Sequence, residues 1–126
     1  MKPDITTQED IKILVDRFYG KVNQDEILSP IFNDFAKVNW EKHMPIMYTF
    51  WVSILLHTVT YRGQPFPKHM RLPVNETHFE RWLVIFYGTV NENFEGPKAE
   101  EAIKRGLNIA NVFMYKMGMI NKLPNP

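Results

Sequence analysis

Residues 64–86 hold a histidine set among prolines and then an aromatic helix, and they read Gln64-Pro-Phe-Pro-Lys-His-Met-Arg-Leu-Pro-Val-Asn-Glu-Thr-His-Phe-Glu-Arg-Trp-Leu-Val-Ile-Phe86. The prolines stand at positions 65, 67 and 73, on both sides of His69. Each proline ring removes a backbone donor and restricts the residue before it, which disfavours a regular helix here. We therefore predict that His69 lies on a short turn between two helices. On its own, this stretch fits a surface-loop histidine, the commoner case, as well as a histidine presented to a ligand.

The flanking sequence predicts four helices. Apolar residues recur at the i, i+3, i+4 spacing of one-sided helices over about 7–23, 39–57, 75–94 and 97–117. Residues 24–38 and 58–73 connect these helices, with a short turn that starts at Pro30 in the first connection. No segment shows the alternation typical of a strand. The predicted fold is all-α, a single domain over residues 1–126 with loose ends at 1–6 and 119–126.

Local signals predict where the helices begin and end. Thr6 and Glu9 have the spacing of a capping box, in which two side chains satisfy free backbone donors at the start of a helix. Gly96-Pro97 marks another start, with proline at the first helical position. Gly118 is a suitable C-terminal stop.

Two residues are energetically unfavourable inside the helices predicted to contain them. Pro45 would cost roughly 3 kcal/mol inside a helix, so it lies either in the first turn or at a point where the helix restarts. Gly106 costs about 1 kcal/mol relative to alanine in mid-helix, which predicts close approach to another backbone.

Composition narrows the class of protein. The 126 residues fit one domain with its own core. The net charge of +1 gives no basis for a nucleic-acid surface or a polybasic membrane patch. The absence of cysteine excludes disulfides, thiolate metal sites and cysteine nucleophiles. Because the sequence shows neither a signal peptide nor a membrane-spanning run, we expect a cytoplasmic protein.

Most kinds of site chemistry have little support in this sequence. The histidines, at positions 43, 57, 69 and 78, lack His-x-x-x-His spacing, and phosphate-binding glycine loops, nucleophile elbows and paired carboxylates are not evident. What remains is a set of aromatic side chains together with His69, His43, Tyr19 and Trp82. A haem pocket needs an axial imidazole, apolar walls and donors on the far side. The sequence permits such a pocket, and an aromatic-rich core without a cofactor is the alternative.

Short motifs recur in the order and spacing of a known family. They are Phe18-Tyr19, Pro30-Ile31-Phe32, His43 with Phe50-Trp51, Gly63-Gln64-Pro65, Lys68-His69, Leu72-Pro73 and Phe79-x-x-Trp82-Leu83-x-x-Phe86. Each motif is weak alone, but in register over about residues 8–117 the set is specific. The sequence resembles the truncated haemoglobins, and most closely their group III branch. It lacks the paired-glycine motifs typical of the other truncated groups. These motifs are also missing in group III.

The resemblance implies a truncated-globin fold, a two-over-two helical sandwich with the proximal histidine on a long loop. It also implies haem b (iron protoporphyrin IX) as the cofactor. His69 matches the proximal iron ligand. Tyr19, Trp82 and His43 match the distal residues that stabilise a ligand on the iron. Because Pro45 loosens the start of its helix, His43 either faces the iron or swings outward as a gate.

Further contacts with the cofactor follow from the same resemblance. The positions implied are Phe32, Met47, Trp51, Lys68, Arg71 and Phe86. Trp51 has an alternative role as a core tryptophan that does not touch the cofactor. Lys68 and Arg71 either pair with the haem propionates or are solvated surface cations.

The resemblance also implies a function. We expect a globin that binds oxygen, nitric oxide or peroxide with strong distal hydrogen bonding and uses it for nitric oxide detoxification or peroxide reduction rather than oxygen transport. Such chemistry needs an unidentified reductase, and the chain is expected to be a monomer or weak dimer. The alternatives are a haem-based gas or redox sensor that acts through a partner protein, and a haem-free helical interaction domain.

Overall fold

The structure, a computed structural model, describes residues 2–57 and 73–119. Its helices are α1 (Gln8–Val22), α2 (Trp40–Leu55), α3 (Glu76–Asn93) and α4 (Pro97–Lys116), with a π-helical turn at Ile31–Phe35 between α1 and α2. Strands are absent from these described ranges, which confirms the all-α prediction. None of the helices described here combines the length and apolar content that crossing a membrane requires.

The helices pack as two pairs. α3 lies along α4, and α1 packs against both α2 and α3, while α2 also touches α4. The core between them combines aliphatic and aromatic side chains. Its fully buried residues include Ile5, Ile11, Leu14, Val22, Leu55 and Val90. Burial of an aliphatic side chain of this size contributes about 1.5–3 kcal/mol, so the core residues fix which face of each helix points inward.

The N-terminal cap of α1 lies one residue later in the chain than the sequence predicted. The capping box is formed by Thr7 and Asp10, not by Thr6 and Glu9. The Thr7 hydroxyl accepts the backbone N–H of Asp10 at 3.2 Å, and Asp10 Oδ2 accepts the N–H of Thr7 at 3.0 Å. Asp10 also accepts the N–H of Thr6 at 2.9 Å, so Thr6 is tied to the cap from outside the helix.

The first residues are anchored, whereas the sequence predicted a loose end at 1–6. Ile5 is fully buried. The carboxylate of Asp4 accepts the backbone N–H groups of Lys98 at 3.1 Å and Ala99 at 2.9 Å. Asp4 therefore caps α4 from a distant part of the chain, because Gly96 at its N-cap has no side chain. A Cβ on Gly96 would lie 2.7 Å from Asp4 Cγ, and Gly96 has φ +131°. Residues 120–126 lie outside the described part of the chain.

Pro45 lies inside a continuous α2, beyond the first turn, so neither predicted arrangement is correct. Proline has no N–H to donate to the carbonyl one turn earlier, and this weakens the start of the helix. The Asn39 side chain caps that start by accepting from Lys42 N. Further along, Trp51, Val52 and Leu55 are buried, and this packing keeps α2 helical despite the proline.

The connection between α1 and α2 is tied to α3 by an ion pair. Arg81 Nε lies 2.6 Å from Asp25 Oδ1, and the Asp25 side chain is 3% exposed while that of Arg81 is 48% exposed. Asp25 Oδ2 accepts the backbone N–H groups of Leu28 at 2.9 Å and Ile27 at 3.1 Å. Burial disfavours the charged carboxylate, but these hydrogen bonds and the Arg81 charge outweigh it and lower the pKa of Asp25.

Replacing the buried carboxylate tests this anchor through the pH dependence of stability. A pKa lowered by folding stabilises the folded state above the unfolded pKa, near 4, and this contribution is lost as pH falls through the folded pKa. We expect Asp25→Asn to lower the free energy of unfolding by about 1 kcal/mol at pH 7, since Arg81 is half exposed and solvent screens the pair. The difference from wild type should shrink at pH 3.

Urea denaturation at both pH values measures this. Asp34→Asn, at an exposed position on the π-helical turn, is the matched control and should change stability little at either pH. An Asp25→Asn defect of equal size at pH 7 and pH 3 would contradict an electrostatic role for Asp25.

Candidate functional site

A largely apolar cavity lies between the four described helices and the π-helical turn. The space between its side chains is about 1040 Å³, part of which opens to solvent. The described residues that line it are Tyr19, Leu28, Ile31, Phe32, His43, Met47, Phe50, Trp51, Val74, His78, Phe79, Trp82, Ile109, Ala110 and Phe113. Binding sites for small ligands and cofactors have this form, with apolar walls and a few polar groups that fix orientation.

Tyr19 and His43 lie together on one wall of the cavity. Their ring centroids are 5.5 Å apart and the rings are nearly perpendicular, at 83°. Tyr19 is 7% exposed, and burial raises the pKa of its hydroxyl well above the usual range. The phenol therefore stays neutral and keeps its proton available for donation. Nε2 of His43 is also buried.

Trp82 reaches the cavity from α3 and is held by a cluster of rings. It stacks on Phe86 with centroids 5.2 Å apart and an angle of 7°. Phe18 packs edge-on against Trp82 and Phe86, at 5.3 Å from each. Trp51 stacks on Phe86 at 5.0 Å. These contacts leave the Trp82 indole one well-defined position, because aromatic rings in such arrangements add about 0.5–1.5 kcal/mol per pair beyond burial.

The structure brings together most of the residues predicted to form the site. Those on the cavity wall are Tyr19, Phe32, His43, Met47, Trp51 and Trp82. Phe86 packs behind Trp51 and Trp82 and is not among the described residues that line the cavity. Phe86 therefore supports the rings of Trp51 and Trp82, and its contact with a cofactor stays a prediction. Lys68, His69 and Arg71 lie outside the described residues.

Two further residues belong to the site although the sequence did not single them out. Trp40 packs against Tyr19, Phe32 and His43 from outside the cavity. His78 lines the cavity, and its Nδ1 lies 3.0 Å from the backbone nitrogen of Asn75. Helical spacing could have indicated both residues, because residues three or four positions apart share one face of a helix. Trp40 precedes His43 by three positions, and His78 precedes Trp82 by four.

Gly106 is close to another element, as predicted, but the neighbour is a ring and not a backbone. A Cβ at Gly106 would lie 2.9 Å from two ring carbons of Phe86 and 3.6 Å from the Trp82 ring. Gly106 thereby lets α4 approach the ring cluster that holds Trp82. Taken together, the site can hold a flat apolar molecule and direct the Tyr19 hydroxyl, the Trp82 indole and the His43 imidazole to a polar group on its face.

Comparison with known proteins identifies relatives that span nearly the whole chain. Residues 3–116 match the family described as bacterial-like globin. The chain is 34% identical over 125 residues to the group 3 truncated hemoglobin of Campylobacter jejuni, covering 94% of this chain and 98% of that one. The crystal structure of the group III truncated hemoglobin from the same organism matches with a TM-score of 0.81 and 32% identity, over 100% of both chains.

Filling the space at Gly106 should disturb the wall that holds Trp82. Gly106→Ala gains up to about 1 kcal/mol in helix propensity. The new methyl group must displace the Phe86 ring, which is fixed by three other aromatic rings, and overpacking of this kind costs about 1–3 kcal/mol. We expect a net loss of stability in chemical denaturation and a change in tryptophan fluorescence.

Gly20→Ala is the control for this change, because Gly20 occupies an exposed position of α1 and a Cβ there would meet nothing within 4 Å. It should leave fluorescence unchanged and stability equal or higher. If Gly106→Ala stabilised the protein as much as Gly20→Ala, this result would contradict the close packing of α4 on Phe86.

Proposed function

Because the chain belongs to the bacterial-like globin family, within the group III truncated haemoglobins, we propose that its cavity holds haem b and that its distal residues hold a diatomic ligand for chemistry. Membership of the globin family implies haem binding. The single observation that carries the finer proposal is the grouping of Tyr19, His43 and Trp82 around one apolar cavity.

The described residues fit such a cofactor. A porphyrin requires flat apolar walls, and Phe32, Met47 and Trp51 supply them on the α2 side. Haem, when bound, would supply an iron that binds an imidazole and a diatomic ligand. We assign this imidazole to His69 from its match to the family motif. Lys68 and Arg71 are proposed on the same basis to pair with the propionates.

Tyr19 and Trp82 act as hydrogen-bond donors to a ligand that carries partial negative charge. The raised pKa of the Tyr19 phenol keeps it a donor throughout the physiological range. The Trp82 indole has only a donor, so it cannot repel such a ligand by presenting a lone pair. Each hydrogen bond of this kind contributes about 1.5–3 kcal/mol, and the apolar wall keeps competing water away.

Strong retention of the ligand favours reaction over transport. Two donors together slow ligand release by about two to four orders of magnitude, which suits a protein that transforms its ligand. We propose nitric oxide detoxification or peroxide reduction as the reaction class, with electrons supplied by a separate reductase. His43 is proposed to face the ligand from the wall shared with Tyr19, in keeping with its buried Nε2.

Removing one hydroxyl tests the role of Tyr19. We expect Tyr19→Phe to speed oxygen dissociation from the reduced, haem-loaded protein about tenfold or more, because one charge-assisted hydrogen bond is lost. Stopped-flow displacement by carbon monoxide measures the rate. Tyr48→Phe is the matched control, since the Tyr48 hydroxyl bonds to Asp16 and Tyr48 is not among the cavity residues. An off-rate equal in both variants and wild type would remove Tyr19 from this role.

Removing the imidazole at position 69 tests the assignment of the axial ligand. We expect His69→Ala to lose stable haem, seen as loss of the Soret band after gel filtration, because haem without its axial bond is held by contact alone. His57→Asn is the control, because His57 has φ +59° and asparagine tolerates this conformation. A normal reduced spectrum in His69→Ala would show that another residue ligates the iron.

A further inference from the structure

Trp40 contacts three residues of the cavity wall without lining the cavity itself. Its ring lies 5.4 Å from Tyr19, and 5.5 Å from His43 at 86°. It stacks on Phe32 with centroids 5.9 Å apart. Trp40 therefore backs the two polar groups of this wall and the ring of Phe32.

One hydrogen bond fixes the Trp40 ring in this place. The indole Nε1 donates to Asn33 Oδ1 at 2.9 Å. The Asn33 amide donates in turn to Asn23 Oδ1 at 2.9 Å and to the Ser29 carbonyl at 3.1 Å. The Ser29 carbonyl only accepts and the Trp40 indole only donates, so a flipped Asn33 amide would lose both of these bonds. The end of α1, the π-helical turn and the start of α2 are joined through one side chain.

The start of α2 needs such support. Trp40 is its first residue, and Pro45 removes a backbone hydrogen bond shortly after it. Helix ends fray where backbone groups lack partners, and His43 lies in this weakened part. A tertiary hydrogen bond on Trp40 opposes fraying at the point where His43 enters the cavity wall.

We infer that Asn33 and Trp40 are positioning residues that hold the Tyr19 hydroxyl and the His43 imidazole in one arrangement. This inference rests on the proposed function, in which those two groups face a ligand. Without the Asn33–Trp40 bond, the first turn of α2 samples other positions, His43 and Tyr19 spread over several arrangements, and the ligand is held less strongly.

The test compares Trp40→Phe, which keeps a ring and removes the donor, with Asn33→Leu, which removes the acceptor at an exposed position. Thr49→Ala is the control, since it deletes the hydrogen bond from Thr49 Oγ1 to the Pro45 carbonyl in the same helix. The infrared band of carbon monoxide added to the reduced, haem-loaded protein reports the donors around the ligand. We expect a shift or second band at higher frequency in both variants and none in the control. Oxygen dissociation should be about two- to tenfold faster, as loss of an ordinary hydrogen bond predicts.

A second readout follows the hydrogen bond itself. The chain has three tryptophans, so the indole N–H region of a nitrogen-15 spectrum is simple, and Trp40→Phe identifies the Trp40 signal. Asn33→Leu should move this signal and speed its exchange with solvent.

The outcomes distinguish the positioning role of Asn33 and Trp40 from the proposed haem-dependent function. An unchanged infrared band and dissociation rate in both variants, with full haem binding, would overturn the positioning role and leave the proposed function intact. Failure of the wild-type protein to bind haem would overturn both.

Discussion

The structure depends on two neighbouring rings in α1 that point in different directions. Consecutive helical residues differ by about 100° around the axis. Phe18 therefore packs into α3, edge-on to Trp82 and Phe86, while Tyr19 faces the π-helical turn and α2, against Phe32 and His43. One helix thereby sets the position of both walls of the cavity. The donors on those walls keep a fixed relation because they share this support.

The rest of the fold keeps the helices around this pair in place. Gly106 allows α4 close to Phe86, and the ion pair of Asp25 with Arg81 ties the connection after α1 to the start of the helix that carries Trp82. Asp4 caps α4 from the N-terminal segment. These contacts join residues distant in sequence, so the geometry of the site is a property of the whole domain and not of a single motif.

Helical periodicity was enough to predict the four described helices. The family resemblance was enough to predict that Tyr19, His43 and Trp82 lie around one cavity. Other features escaped prediction because they depend on tertiary contacts. The Asp4 cap requires α4 to lie beside the N-terminal segment, and the role of Trp40 appears only when its indole meets Asn33. Pro45 was misplaced because local helix propensity is weaker than the packing that holds α2. The stacking of Phe86 on Trp51 and Trp82 likewise appears only in three dimensions.

Titration of the haem-free protein with haem tests most directly whether this cavity holds haem. Trp51 and Trp82 lie on the wall, so bound haem should quench their fluorescence while a Soret band grows. We expect both signals to saturate together at one haem per chain. A protein that shows no saturable Soret band and keeps its full tryptophan fluorescence would contradict haem binding in this cavity.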